Sequence, residues 1–132
     1  MFRLFLATPE RLVFDDDVLS VNAPGTVGYF EILTNHAPII STLKPGKLVV
    51  KDKNQKKWVW ALSGGYLEMS HNHATLLADA VELVSEIDLK RAETALAKAQ
   101  KRIESKDPNI DIMRAKEALA RAENRIKIRL AP

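Results

Sequence analysis

The sequence predicts a β + α protein, with an all-β sandwich or barrel over residues 1–84 and an antiparallel two-helix hairpin over residues 85–132. Three observations predict it. Short apolar runs separated by turn residues fill the first part of the chain, helical steps of three and four begin only after Ser85, and Asp107-Pro108-Asn109 divides the helical part in two.

The apolar runs fall at residues 2–7, 18–23, 29–33, 39–43, 48–50, 58–62, 66–69, 74–78 and 81–84. Between them stand Pro9-Glu10, Asp15-Asp16-Asp17, Pro24-Gly25, Lys44-Pro45-Gly46, Asp52-Lys53-Asn54, Gly64-Gly65 and His71-Asn72-His73. This spacing, with β-branched and aromatic enrichment, suits strands joined by turns. In Trp58-Val59-Trp60-Ala61-Leu62 the tryptophans share one face while Val59 and Ala61 share the other. A sheet packed on one side alternates apolar with polar, so this strand is expected to have its second face covered, by a partner protein or by a locally thick core.

In the helical part, Leu89, Ala92, Leu96, Ala99 and Ile103 form one stripe, and Ile112, Ala115, Leu119, Ala122 and Ile126 a second. Ser85 or Asp88 is expected to cap the first helix, and Asp107 before Pro108 to start the second. The helices repeat at an offset of 23 residues: Ile87-Asp88-Leu89-Lys90-Arg91-Ala92 matches Ile110-Asp111-Ile112-Met113-Arg114-Ala115. Arg91, Lys98 and Arg102 correspond to Arg114, Arg121 and Arg125, so each helix carries a cationic stripe beside its seam. Four of the ten seam positions are alanine, which buries little area. Such a hairpin is expected to yield to a modest competing contact.

Length and composition bound the function. The 132 residues suit one compact core with a small appendage. No apolar run reaches the roughly 18 residues of a membrane span, so no direct membrane insertion is expected. The N-terminal apolar stretch is too short for a signal peptide, and cysteine is absent, which excludes disulfides and thiolate chemistry. A cytoplasmic protein is the expectation. The net charge is +3, but residues 1–84 hold 8 basic against 9 acidic side chains and residues 85–132 hold 12 against 8. The basic tail points to an anionic partner.

Several motifs match a known family. Gly28-Tyr29-Phe30-Glu31-Ile32-Leu33-Thr34-Asn35-His36-Ala37-Pro38 with Leu43-Lys44-Pro45-Gly46 resembles the signature of the epsilon subunits of F-type ATP synthases. Leu62-Ser63-Gly64-Gly65-Tyr66-Leu67-Glu68, Ala74-Thr75-Leu76-Leu77-Ala78-Asp79-Ala80-Val81-Glu82 and Ile87-Asp88 with Arg91-Ala92 are similar to later segments of that family, in order. The resemblance implies an N-terminal ten-stranded β-sandwich with a C-terminal antiparallel two-helix hairpin. It implies a non-catalytic rotor subunit that docks on the gamma subunit and the c ring, with Tyr29, Phe30 and His36 at the partner interface. It further implies a hairpin that extends toward the alpha and beta subunits and restrains hydrolysis, and a peripheral location on the cytoplasmic face of the bacterial membrane. The family usually has Gly where Glu31 stands and Pro-Gly where Thr34-Asn35 stands, which implies a different loop conformation here.

The same resemblance implies a regulatory ATP site, with no cofactor required. Its residues are Glu82, Ile87, Asp88, Arg91, Arg121 and Arg125, with Lys98 where the family has a further arginine. Arginine suits phosphate through its planar donor fork. The alternative is that Asp88 only caps the helix and the arginines are solvated. Arg114, Arg121 and Arg125 are the residues expected to face an acidic surface when the hairpin extends.

Other constellations carry little chemistry. His71-Asn72-His73 lacks further metal ligands, and Asp15-Asp16-Asp17 reads as a solvated turn without calcium-loop spacing. Ser63-Gly64-Gly65 lacks the lysine and helix of a P-loop. No nucleophile and base pair up, so no enzyme is expected. A nucleic-acid module would concentrate basic and aromatic residues on one strand surface, whereas the β region is slightly acidic and the basic helices have no aromatic residue. A free-standing ATP sensor would need the arginines but not the two-faced tryptophan strand.

Overall fold

The computed structural model describes residues 1–130, which form two compact units, one from Met1 to Leu83 and one beginning at Val84. The first contains nine strands: β1 (Phe2–Ala7), β2 (Leu12–Gly25), β3 (Gly28–Leu33), β4 (Ile39–Leu43), β5 (Gly46–Asp52), β6 (Lys57–Leu62), β7 (Gly65–Ser70), β8 (His73–Ala78) and β9 (Val81–Leu83). A 3-10 turn (Val84–Glu86), α1 (Leu89–Glu104) and α2 (Ile112–Leu130) make up the second.

The sandwich class stands, with nine strands in place of ten. The count falls because β2 runs unbroken for 14 residues and serves two sets of neighbours. Its first half pairs antiparallel with β1, and its second half pairs with β3 and β5. The strand order is β1-β8-β7-β4-β2-β5-β6-β9, with β3 on β2 and β1 also closing onto β2. Among the described residues only the β1–β8 pairing is parallel. Leu19 is an extra residue in the β2–β5 ladder, between Val18 opposite Asp52 and Ser20 opposite Lys51. This bulge resets the alternation, so Val18 and Val21, three apart, both reach the core. Leu4, Leu6, Leu67, Met69 and Leu76 close the core from one side, and Ile32, Leu48, Val50, Trp60 and Leu62 from the other.

Asp15-Asp16-Asp17, expected as a turn, lies inside β2. Cations from neighbouring segments compensate its poor β propensity. Arg3 Nε donates to Asp15 Oδ1 at 2.9 Å, and Lys53 Nζ lies 3.2 Å from Asp16.

The tryptophan strand faces as expected. Trp60 is in the core, Trp58 stacks on it with centroids 5.8 Å apart, and Phe14 meets both rings edge-on. On the opposite face Val59 is half-buried and Ala61 buried, both outside the core cluster. Asp52 organises the adjoining hairpin. Its Oδ1 accepts from the Asn54 and Lys56 amides at 2.8 and 2.9 Å, while Oδ2 accepts from the Trp58 indole at 3.0 Å. Lys56 Nζ sits 4.0 Å from the Trp58 ring centroid.

The Trp58 hydrogen bond first, and then the two backbone amides, hold the Asp52 carboxyl below its usual pKa against a desolvation effect of opposite sign. A depressed folded-state pKa contributes stability above the unfolded value, about pH 4, that is lost as pH falls through the lowered native value. Asp52→Asn is therefore expected to flatten the acid limb of Tm against pH, with the two proteins converging below that limb. Parallel curves would show that Asp52 is not a source of the acid dependence.

Candidate partner surfaces and basic hairpin site

Both helices are set by an aspartate. Asp88 Oδ1 accepts from the Arg91 amide at 3.0 Å, so Asp88, not Ser85, is the cap of α1. Asp111 Oδ1 accepts from the Arg114 amide at 3.1 Å and caps α2. Asp107, the expected start, instead closes a turn by accepting from the Asn109 amide at 2.9 Å. The helix begins later because Asp111 is the repeat partner of Asp88, a match visible in the sequence at the 23-residue offset. Along the seams Ala92, Ala99, Ala115 and Ala122 are buried, whereas Leu89, Leu96, Ile103, Leu119 and Ile126 are only half-buried and Ile112 is exposed. Small side chains at the line of contact bring the helices together and leave the larger ones at its edges. Ile128, outside the expected stripe, is also buried.

The basic residues divide by position. Arg114 and Arg121 of α2 join Arg102 of α1 around an open concavity of about 590 Å³ floored by Ile110, Ala115 and Ala118. Arg125 is half-buried, Arg91 and Lys98 are exposed, and none of the three lines that concavity. Of the expected nucleotide residues, Glu82 lies in β9 of the sandwich, and Ile87, Asp88, Arg91, Arg121 and Arg125 lie in the helical unit. Ile87 is buried, and Asp88 is engaged in capping.

In the sandwich, Tyr29 is exposed along its ring while its hydroxyl accepts from the Lys47 amide at 3.0 Å. Gly46 makes room for this: a Cβ there would lie 2.6 Å from Pro24 Cβ and 2.8 Å from the Tyr29 oxygen. Phe30 is half-buried against the core. His36 is half-buried, with Nδ1 2.7 Å from the Ala37 carbonyl oxygen. His71 and Asn72 form the β7–β8 turn and His73 opens β8; among the described residues no three ligating side chains gather. Ser63 Oγ donates to the Ala80 carbonyl, a structural bond in a strand connection.

A further exposed apolar patch lies on the sheet, at residues outside the expected interface set. Ile40, Tyr66 and Leu77 lie on the outward side of β4, β7 and β8, with relative exposures of 75%, 43% and 36%. Tyr66 stands directly opposite Leu77, and Ile40 opposite Glu68 two positions along. Adjacent apolar pairs, Ile39-Ile40, Tyr66-Leu67 and Leu76-Leu77, are the sequence signal for a strand apolar on both faces.

A nine-stranded sandwich with an exposed apolar patch, followed by a basic two-helix hairpin, defines the class of this chain as a two-unit β + α protein. The sandwich, residues 1–84, matches the family described as ATP synthase, Delta/Epsilon chain, beta-sandwich domain, and residues 85–128 match its long alpha-helix domain. The chain therefore belongs to the ATP synthase delta/epsilon family, as a non-catalytic subunit. An ATP synthase epsilon chain of Protochlamydia amoebophila is 47% identical over 110 residues, covering 83% of this chain and 75% of the relative. One from Desulfosudis oleivorans is 42% identical, covering 78% and 77%. A chain in a Euglena gracilis mitochondrial ATP synthase assembly with its c-ring has a TM-score of 0.83 at 22% identity, over 96% of this chain and 79% of that one. A chain of the Tetrahymena thermophila central stalk and c-ring gives 0.57 at 16%, over 97% and 92%. These two share the fold.

Asp111→Ala is expected to destabilise the helical unit by about 0.5–2 kcal/mol, the usual value of a lost cap. Asp107→Ala should cost less, and comparison of their helical melts by circular dichroism checks the order.

Proposed function

We propose that the chain is the central-stalk subunit of a proton- or sodium-translocating synthase, coupling gamma to the c ring at the cytoplasmic face of a bacterial membrane. The observation that carries this reading is the outward Ile40–Tyr66–Leu77 surface, which a subunit partner would cover. The names of the relatives and the c-ring assemblies of the fold neighbours support it. Gamma is the partner for this outer face. Tyr29, Phe30 and His36 belong to the interface on the same reading, with the turns near His36 toward the c ring.

The hairpin is the regulatory part. Its alanine seam lets it be displaced, and Arg114, Arg121 and Arg125 then meet acidic surface on the alpha and beta subunits. ATP is its regulator, held through Glu82, Ile87, Asp88, Arg91, Arg121 and Arg125. Each tenfold excess of ATP over its dissociation constant favours the bound hairpin by about 1.4 kcal/mol, enough to bias a weak seam.

Reconstitution tests each part. Ile40→Asp with Leu77→Asp is expected to weaken association with gamma at least about tenfold, given roughly 1.5–3 kcal/mol per large apolar group buried; unchanged association refutes this docking face. Truncation after Val84 should raise hydrolysis by the assembled head. If it does not, the helices are not inhibitory. ATP should slow proteolysis of the hairpin and Arg121→Ala should abolish that protection, while identical digestion with and without ATP removes the nucleotide reading.

A further inference from the structure

The loop of residues 34–38 leaves β3 and enters β4, and it begins with a tight turn. The His36 amide donates to the Leu33 carbonyl at 3.1 Å, and Asn35, third in the turn, has φ 63°. Positive φ at that position is what a type II turn demands, and proline followed by glycine is the pair that forms one most readily. Thr34-Asn35 lacks both advantages: threonine does not preset φ, and asparagine pays part of the left-handed cost that glycine escapes.

A distant residue supplies the missing constraint. Asn72, 37 positions on, accepts from the Asn35 amide through Oδ1 at 2.6 Å and donates from Nδ2 to Asn35 Oδ1 at 2.7 Å. The backbone amide must face an oxygen, which fixes the orientation of the Asn72 carboxamide and, through it, that of Asn35. Asn72 is itself anchored. It sits with His71 in the two-residue β7–β8 turn, at φ 56° and 51°, and its carbonyl accepts from the Arg3 amide of β1 at 3.0 Å. These are the positive angles of a type I′ hairpin turn, tied to a third strand.

We propose that Asn72 is a positioning residue whose reciprocal clasp with Asn35 holds the 34–38 loop in the one conformation that presents His36, Ala37 and Pro38 to the partner at this end of the sandwich. The docking clause rests on the c-ring reading above; the clasp itself does not. The clasp substitutes for turn chemistry that Thr34-Asn35 lacks. Its loss leaves the core intact, because neither asparagine belongs to the core.

The test uses the full chain and Asn72→Gly, which keeps the positive φ of the turn and removes only the side chain. Hydrogen exchange at the Asn35 amide is expected to accelerate about tenfold in the variant, with core amides unchanged. Equal exchange in the two proteins overturns the clasp. Association with a purified rotor of gamma and c ring should weaken in Asn72→Gly, and it should be restored when Thr34→Pro and Asn35→Gly are added to preorganise the turn independently. Failure of that rescue would mean that Asn72 touches the partner directly, and unchanged association of Asn72→Gly would mean that the loop needs no positioning; either overturns the proposal. If the unmodified chain itself does not bind the rotor, the c-ring reading and the docking clause fall together, and the exchange result still decides the clasp.

Discussion

The sandwich depends on β2 being in two places at once. One strand of 14 residues closes onto β1 with its first half and carries β5 and β3 with its second. A strictly alternating strand would send Val18 and Val21 to opposite faces, and a one-residue slip would turn its whole apolar set outward. The extra residue Leu19 removes that conflict, so the strand changes neighbours without losing its core face. The acidic run lies just before this bulge, where Arg3 and Lys53 reach it from either side. Register, closure and charge pairing are thus settled within about ten residues.

The helical unit is organised by repetition. Each helix opens on an aspartate whose side chain bonds the amide three residues on, and each then buries an alanine four positions after that aspartate. A copied segment brings its cap, seam and basic stripe together, which is why the arginines keep register across the hairpin. The price is a contact line of methyl groups.

Much of this was legible in the sequence, and the exceptions have physical causes. Eight of the strand runs needed only small boundary changes, because apolar residues flanked by Pro, Gly and Asn leave little freedom. The extent of β2 was not legible, since three aspartates read as a turn until the cations that pair with them are known. The start of α2 differs from the expected Asp107 because Asp107-Pro108 is a strong local turn signal, whereas the 23-residue repeat points to Asp111. The outer apolar face could have been found from the pairs Ile39-Ile40 and Leu76-Leu77. No local rule, by contrast, links Asn35 to Asn72 across 37 positions. For the candidate site, residue types and helix faces were readable, but which arginines share a concavity depends on the pairing of two helices: Arg102 joined Arg114 and Arg121, and Arg125 did not.

The alanine contact line also fixes how the hairpin responds to heat. Separating two helices whose contact line is alanine, with the larger side chains only half-buried at its edges, exposes less apolar surface than opening the sandwich core, so the heat-capacity increment and the enthalpy of opening are both smaller. A transition with small enthalpy is broad, and its free energy changes gently with temperature. The large side chains of the sandwich core give the opposite behaviour, a steep cooperative melt. One short chain thus joins a sharp thermal element to a graded one.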